Sequence, residues 1–402
     1  MNNLFLALVL LLGIFGSRNA MSYPQFIGKG YHACLTCHYN PFGNGPLNDY
    51  GRGVAATGLA GRFMIPESVS DDILGQRSSL IFGKPDALPV KPSIDYRGLY
   101  IKSGLEQEDQ PDPKWINMQA ELSLSANWGK RKEWILTASY NTLIANSGIT
   151  PKGDQPRSGK PADKDLSYLR EYYLGYRVNQ QLGVYLGKTD KVFGIRIPDH
   201  NIKARSATRN NQYASAPGVM VHYGTEDYDT GFQIFLEDET EDTNEKNTSD
   251  AGSGIATKFE YSLNKRWRVG VSYLNETEKE SETKYDAKSF LTKTRVGEGS
   301  SIMFEYGLVD TAIKNADTTT AQYIYLQSHM YMKRGLYFVT TYEMYTSDTS
   351  DYNETHNFGP GVQWFPLQRF EFRADLLNSK TYSSNGASKD SWGFYGQVHL
   401  WL

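Results

Sequence analysis

The sequence is short of cysteine and carries almost no excess of charge of either sign. Two of its 402 residues are cysteine, so no second cysteine pair is present to complete a zinc ribbon. With 42 Lys+Arg against 45 Asp+Glu, the formal net charge is −3. The chain lacks the basic field that holds a polyanion, and we expect no nucleic-acid partner.

Long apolar runs are also missing after the N-terminus. Beyond residue 20 no stretch reaches the about 20 apolar residues that a membrane-spanning helix needs, and the mean hydropathy is −0.53. A helical membrane protein is therefore excluded. A strand-built one is not, because its strands show only alternate residues to lipid. The 28 Tyr and 37 Gly describe an aromatic, turn-rich chain.

The N-terminus is typical of an export signal. An apolar stretch over residues 4–15 leads to the small-residue site Ala20-Met21-Ser22, which suits cleavage before Tyr23. A second site after Ala20 is an alternative. We predict a signal peptide over residues 1–22, so that the mature chain begins in the periplasm.

Residues 32–38 contain the attachment signature for c-type haem, Cys-x-x-Cys-His. The thiols of Cys34 and Cys37 would add across the haem vinyl groups, and His38 would lie beneath the iron as the proximal ligand. The alternatives are a disulfide, a thioredoxin-like redox pair and half of a zinc site. None fits well, since the loop is small and no βαβ pattern surrounds the motif.

The following residues, 39–53, are rich in turn formers and aromatic rings. Over residues 30–53 the sequence resembles the single-haem segments of Cys-x-x-Cys-His-x-Asn-Pro-x-Gly-x-Gly type that are fused to outer-membrane barrels in Gram-negative bacteria. The resemblance implies an electron-transfer or porin-linked role and one covalent haem c. It places a haem-binding segment at 23–92, periplasmic or inside the barrel, and an outer-membrane barrel at 93–402.

Period-2 alternation recurs from Lys91 onward. Within Trp115–Trp128, every even-numbered residue from Ile116 to Trp128 is apolar, and every odd-numbered residue between them is polar. The stretch Arg369–Leu377 repeats the pattern, with charged residues on its second face. Strands of this length and pattern are typical of a membrane-spanning barrel with a wet lumen.

The number of strands follows from the connections. About 15 segments are clear, and Tyr285–Arg295 is a doubtful one. Long and short connections alternate in phase only if this segment is a strand. We therefore predict an all-β fold, a transmembrane antiparallel barrel of about 16 strands in the outer membrane of a Gram-negative bacterium, contacting its lipid, with both barrel termini in the periplasm.

A 16-strand barrel encloses a lumen that other segments can fill. One candidate is the N-terminal segment. The other is the 27-residue connection Asp190–Ala216, with five basic and two acidic residues. Folded inward, this connection would make a cationic constriction or a site for haem propionates. Left outside, it would be a solvated loop, and both alternatives stay open.

Six residues are candidates for a second iron ligand. The strand phase turns three histidines toward the lumen, each near the periplasmic end of its strand, where imidazoles at a polar interface are also ordinary. Other candidates lie in the N-terminal segment and in the cationic connection. The full set is Met64, His222, His329, His399, His200 and His32.

We expect electron transfer at or across the outer membrane, with redox-partner cytochromes in the periplasm or at the cell surface. The alternative is a diffusion porin or uptake channel with a structural or sensory haem. A haem enzyme of the peroxidase type is a third hypothesis, although no dedicated set of catalytic residues is visible.

Overall fold

The computed structural model describes residues 24–31, 33–43, 45–79, 83–84, 89–108, 111–143, 166–197, 199, 202–210, 214–237, 252–279, 281–351 and 353–402. The predicted signal peptide lies outside these residues. Within the described ranges, every helix is too short or too polar to serve as a membrane span.

Sixteen antiparallel strands close into one barrel, in which each strand pairs with its neighbours in the sequence and β1 pairs with β16. The predicted fold class and strand number are confirmed, including the doubtful strand, which is β10. The strands are β1 (Val90–Ser103), β2 (Lys114–Trp128), β3 (Trp134–Leu143), β4 (Leu166–Arg177), β5 (Leu182–Thr189), β6 (Ala216–Gly224), β7 (Tyr228–Phe235), β8 (Ser253–Ser262), β9 (Trp267–Glu278), β10 (Thr283–Val296), β11 (Ser300–Ala312), β12 (Thr319–Lys333), β13 (Leu336–Thr346), β14 (Glu354–Trp364), β15 (Phe370–Tyr382) and β16 (Ser388–Trp401).

The alternation of side chains follows the prediction in β15. Phe370 and Phe372 are exposed on the outer face, whereas Glu371 and Asp375 are buried toward the lumen. Apolar residues thus cover the outside of the barrel, and charged residues line its inside. This arrangement is the reverse of a soluble protein with an apolar core.

The predicted face of Ile116 in β2 is wrong. The pairing of β1 with β2 skips one residue at Met118, because Arg97 pairs with Gln119 and the next residue of β1 pairs with Asn117. An extra residue of this kind shifts the alternation by one position. Ile116 therefore points inward and is 6% exposed, and its neighbour Trp115 lies outside.

The connections divide the barrel into two ends. Short turns at 129–133, 178–181, 225–227, 263–266, 297–299, 334–335 and 365–369 form what we call the short-turn end, where β1 begins and β16 ends. Connections at the opposite, long-loop end are mostly longer, except for 279–282 and 383–387. The barrel starts at Val90, inside the range predicted for the preceding segment.

The described residues of the N-terminal segment, 24–89, occupy the short-turn end. Its elements are α1 (Pro24–Gly28), a 3₁₀ turn (Cys34–Thr36), α2 (Asp49–Val54), a π-helical turn (Ala55–Leu59) and α3 (Asp71–Gln76). Backbone hydrogen bonds join it to the barrel turns: the N–H of Gly61 donates to Phe365 O at 2.7 Å, and that of Gly299 donates to Gly28 O at 2.9 Å. Gly28 and Gly299 pass so closely that a Cβ on Gly28 would meet the Gly299 backbone at 2.3 Å. The segment is thus packed into the barrel mouth.

Candidate functional site

The Cys-x-x-Cys-His motif forms one tight turn within the N-terminal segment. The backbone N–H groups of Cys37 and His38 both donate to the carbonyl of Cys34, each at 3.0 Å. The turn therefore holds the two thiols and the imidazole close together along the chain. Both cysteines are buried and free of a disulfide.

The surroundings of the two thiols do not suit a reactive redox pair. Burial raises the pKa of the Cys34 thiol and that of the Cys37 thiol, whereas a thioredoxin-like pair needs a lowered pKa. Among the described residues, no three His, Cys, Asp or Glu side chains are grouped as they would be around a metal ion. The disulfide, redox-pair and zinc alternatives gain no support from these side chains.

The His38 ring is fixed from behind by the backbone. His38 forms an antiparallel bridge with Leu47, and its Nδ1 lies 3.2 Å from the carbonyl oxygen of Gly45. Because a carbonyl can only accept, Nδ1 carries the proton and Nε2 carries the lone pair. A histidine that binds a metal commonly has its second nitrogen held in this way.

Asn48 fastens the motif turn and was not singled out from the sequence. Its Nδ2 donates to the Thr36 carbonyl at 3.1 Å, and its Oδ1 accepts from the N–H of Gly51 at 2.9 Å. The same side chain thus caps α2 and closes the motif turn. Gly51 lets the two come together, since a Cβ there would meet the Cys37 carbonyl oxygen at 2.3 Å.

The tip of the N-terminal segment reaches the barrel wall inside the lumen. Asn40 donates from Nδ2 to Glu171 of β4 at 3.3 Å. The ring of Phe42 lies edge-on to His222, with centroids 5.1 Å apart, and presses against Gly231 of β7, where a Cβ would meet its Cζ at 2.0 Å. The segment therefore extends into the lumen beyond the turns that it caps.

The connection between β5 and β6 also lies in the lumen, so the inward alternative for this segment is confirmed. It contains the short helix α4 (Lys203–Ala207). Lys191 forms a buried ion pair with Glu276 at 2.5 Å, and the N–H of Ile195 donates to Glu305 at 2.7 Å. Asp199 pairs with Arg373 at 2.8 Å, and this arginine helps to hold the pKa of Asp199 at about 2 against the effect of burial. We call residues 190–215 the lumen loop.

A cavity separates the N-terminal segment from the lumen loop. Its volume is about 110 Å³. The cavity is therefore small and narrow. His38 and Gly45 line it from one side, Ile197 from the lumen loop, and His399 from the barrel wall.

The cavity lining is strongly cationic, and we call it the arginine cavity. Asp95 and Glu121 are the acidic side chains of this lining. Its six guanidinium groups belong to Arg52, Arg97, Arg170, Arg196, Arg205 and Arg369. A carboxylate behind the lining, Asp190, contacts Arg196 at 2.6 Å and Arg170 at 3.4 Å. Burial would raise the pKa of Asp190, but these arginines hold it below its ordinary value.

The arginine cavity fits part of what a c-type haem requires. A histidine with a fixed tautomer suits an iron ligand, and guanidinium groups suit the carboxylates of the macrocycle. The thiols are not on this wall: Cys37 packs in an apolar cluster with Phe26, Leu59 and Phe365. For the two cysteines, the match to a c-type haem rests on their spacing from His38 within the motif turn.

The three lumen histidines point inward, as predicted, and each lies within four residues of a strand terminus at the short-turn end. His399 shares the arginine cavity with His38 and contacts Glu371 through Nδ1 (2.9 Å) and Asp95 through Nε2 (3.2 Å). His329 contacts Gln25 of the N-terminal segment through Nδ1 at 2.8 Å. Of the three, His399 is the one that the fold brings to the same cavity as His38.

His222 borders a different space. It lines an open crevice of about 1350 Å³ at the short-turn end, together with Leu35 and Thr36 of the motif turn. Its Nε2 lies 3.5 Å from Asp229. His222 therefore lies near the motif turn but beside a different opening from the one that His38 faces.

The remaining candidates are less informative. Met64 is 86% exposed at the surface of the N-terminal segment and has a φ of 58°. His32 and His200 lie outside the described residues. His356, which is not one of the six candidates, lies in β14, where Tyr342 Oη is 3.1 Å from its Nδ1.

If the motif carries a haem, we expect one of the substitutions His222→Ala, His329→Ala and His399→Ala to change its absorption spectrum or midpoint potential, with His399→Ala first because His399 lines the same cavity as His38. Losing an axial ligand or a hydrogen bond near the iron moves both quantities. His356→Ala, at the long-loop end, is the control. If all three variants match the wild type, the second ligand comes from the N-terminal segment itself, and Met64 is next to test.

For His38→Ala we expect haem to remain attached while its visible spectrum shifts, because the thiols are intact and the proximal nitrogen is gone. Absorption spectra of the oxidised and reduced protein check this. Asn48→Ala is the companion variant, since it loosens the turn without removing a ligand. An unchanged spectrum in His38→Ala would show that His38 does not bind the iron.

Comparisons with known proteins agree with this geometry at the level of the fold. No known family profile matches the chain, and no curated protein matches it in sequence. The anion-selective porin from Comamonas acidovorans is similar in structure, with 9% identity, a TM-score of 0.57, and coverage of 78% of this chain and 99% of that chain. The outer membrane channel DcaP of Acinetobacter baumannii shares 12% identity at a TM-score of 0.53, covering 78% and 97%. OprB of Pseudomonas putida shares 11% at a TM-score of 0.55, covering 86% and 100%.

Identities this low define a shared fold and nothing finer. The protein has the fold of the 16-strand outer-membrane porins. Its own features are the motif turn within the barrel mouth and the arginine cavity above it.

Proposed function

We propose that this protein is an outer-membrane barrel that carries one covalent c-type haem and transfers electrons at or across the outer membrane. The observation that carries the proposal is the position of the motif turn: Cys34, Cys37 and His38 are held inside a barrel, and His38 faces the arginine cavity. Covalent attachment of haem takes place on the outer side of the inner membrane in bacteria, which agrees with an exported chain.

The outer surface of the barrel supports the membrane location. Apolar side chains cover it, and aromatic rings cluster near the strand ends, as with Trp128, Trp134 and Tyr176 at the short-turn end. Such rings are typical of a membrane–water interface. Bacterial outer-membrane barrels place their short turns in the periplasm, so the N-terminal segment would face the periplasmic side.

The residues around the motif have defined tasks in this proposal. A bound haem supplies a one-electron iron centre, which a protein tunes but does not replace. Cys34 and Cys37 would hold it through thioethers, and His38 would bind the iron through Nε2. Gly45 keeps the imidazole in the required tautomer. The N-terminal segment and the lumen loop together keep bulk water away from the cavity.

Partners follow from the dimensions of the membrane. The hydrocarbon core is about 30 Å thick, so a single haem does not span it. Electrons must therefore pass to or from another redox centre on at least one side. We propose cytochromes in the periplasm or at the cell surface as these partners.

A diffusion channel with a structural or sensory haem is the second candidate. The observation in its favour is the fold, since the similar structures are porins and channels. Against it stands the content of the lumen, where the N-terminal segment and the lumen loop each make buried contacts with the wall. A peroxidase is a weaker third candidate.

A denaturing gel of the purified full-length protein tests the proposal. Haem staining should survive denaturation, and the visible spectrum should change reversibly when a soluble cytochrome c donates or accepts electrons. A chain that carries no covalent haem would refute it. A haem that exchanges no electrons, in a barrel that conducts ions freely, would favour the channel.

A further inference from the structure

Two buried guanidinium groups in the arginine cavity form no ion pair with any carboxylate that the structure describes. We propose that Arg52 and Arg205 bind the carboxylates of the haem, an inference that rests on the proposed function and assigns the anionic edge of the ligand. Each of the two is 7% exposed and lines the cavity that His38 faces.

Arg52 belongs to α2 of the N-terminal segment. Its Nε donates to the carbonyl of Leu47 at 3.3 Å, and its Nη2 donates to that of Pro92 at 3.1 Å. In the described part of the chain it forms no ion pair, and the carboxylate three residues earlier, Asp49, pairs with Lys91 instead. Backbone carbonyls fix the position of the guanidinium but do not neutralise it.

Arg205 reaches the cavity from the lumen loop. Its Nε donates to Asn210 O at 2.9 Å, and its Nη1 donates to Ile197 O at 3.2 Å. The carboxylate with the largest effect on its pKa is that of Asp190, which is already in contact with Arg170 and Arg196. Within the described residues Arg205 thus has only backbone acceptors. Burial is the main reason that its pKa falls to about 10.

Three other arginines of the cavity differ in this respect. Arg170 pairs with Glu121 at 2.9 Å, Arg196 pairs with Asp190, and Arg97 lies 3.5 Å from Asp95. Carboxylates of the barrel strands and of the lumen loop balance these three charges. Arg369, from the turn before β15, donates to the carbonyls of Ser78 and Ser79 in the N-terminal segment. Among the arginines that the two segments contribute to the cavity, Arg52 and Arg205 are therefore the ones that form no ion pair with a described carboxylate.

A buried cation without a counter-ion is costly, and it persists where a ligand supplies the opposite charge. A planar guanidinium matches a carboxylate with two parallel hydrogen bonds. Haem carries two carboxylates on flexible arms, and the cavity presents two unbalanced guanidinium groups beside the histidine of the attachment motif. The chemistry of the cavity therefore matches a flat dianion.

The test measures the haem midpoint potential in the full-length protein with Arg52→Gln, Arg205→Gln and both together. Removing a positive charge beside the haem disfavours the reduced form. We expect each single change to shift the redox equilibrium by about tenfold, which lowers the midpoint by about 59 mV for one electron. The midpoint should also become more pH-dependent, because a carboxylate that loses its cation takes up a proton more readily.

Arg52→Lys and Arg205→Lys should restore most of the midpoint, since they keep the charge. Arg62→Gln is the matched control, because Arg62 lies in the same N-terminal segment but pairs with Asp71 near the surface. Heat-modifiable migration on gels confirms that each variant has folded. If a glutamine variant does not fold, the lysine variant is made in the Cys34→Ser, Cys37→Ser protein instead. Its affinity for free haem is then compared with its affinity for haem dimethyl ester, which lacks the two carboxylates. Equal affinities would overturn the assignment, and weaker binding of the ester would support it.

The outcomes separate this inference from the proposed function. Covalent haem with an unchanged midpoint and pH profile in both glutamine variants overturns the assignment of Arg52 and Arg205 and leaves the proposed function standing. Absence of covalent haem in the wild type overturns both. A lowered midpoint in the glutamine variants, restored by lysine and absent in Arg62→Gln, supports the assignment.

Discussion

The double substitution Cys34→Ser with Cys37→Ser should abolish covalent haem and leave the barrel assembled. The thioethers need both sulfur atoms, whereas the barrel is closed by hydrogen bonds between strands that do not involve the motif. Haem staining of a denaturing gel measures the first effect, and heat-modifiable migration measures the second.

A hydroxyl in place of a buried thiol carries a cost of its own, about 1–3 kcal/mol when it finds no partner. The variant Cys34→Ala with Cys37→Ala avoids this and serves as the matched control. If neither variant shows the migration of a folded barrel, the haem is needed for assembly. The barrel and the haem-binding segment would then not fold independently of each other.

Removing both segments from the lumen should convert a poorly conducting protein into an open pore. A 16-strand barrel encloses an aqueous channel when its interior is not filled. We therefore expect few channel events in planar bilayers for the full chain. When residues 24–89 are deleted behind the signal peptide and the lumen loop is replaced by a short glycine–serine linker, we expect steady ohmic conductance.

Each single deletion isolates one barrier, because the two segments fill different parts of the lumen. Shortening the exposed turn 383–387 between β15 and β16 is the control and should leave conductance as in the wild type. A full chain that already conducts as well as the double deletion would show that neither segment blocks the lumen, and it would favour the diffusion channel.

The barrel could be predicted from the sequence because alternate residues of a membrane-spanning strand face lipid and the lumen, and this alternation is visible within each strand by itself. The alternation in β15 identifies its two faces without any tertiary information. The same reasoning failed at Ile116, since a bulge at Met118 depends on how two strands pair, and a single strand does not record it.

The site was predicted less completely. The motif identified Cys34, Cys37 and His38, but Asn48 acts through contacts between residues a dozen positions apart. The direction of the lumen loop was left open, although a signal was present. Inward positions of the alternate strands β9, β11 and β13 carry Glu276, Glu305 and Glu343, and these accept from the loop.

If haem is attached as proposed, the burial of the two thiols imposes an order on biogenesis. Cys34 is 9% exposed and Cys37 is 3% exposed, and they belong to a segment that is tied to the turns between β10 and β11 and between β14 and β15. β1 follows that segment directly, and its pairing with β16 closes the barrel. An enzyme that joins a cofactor to these sulfur atoms would have to reach them while the chain is still open in the periplasm. Attachment would then have to precede closure of the barrel, because the thiols of a closed chain would no longer be accessible to that enzyme.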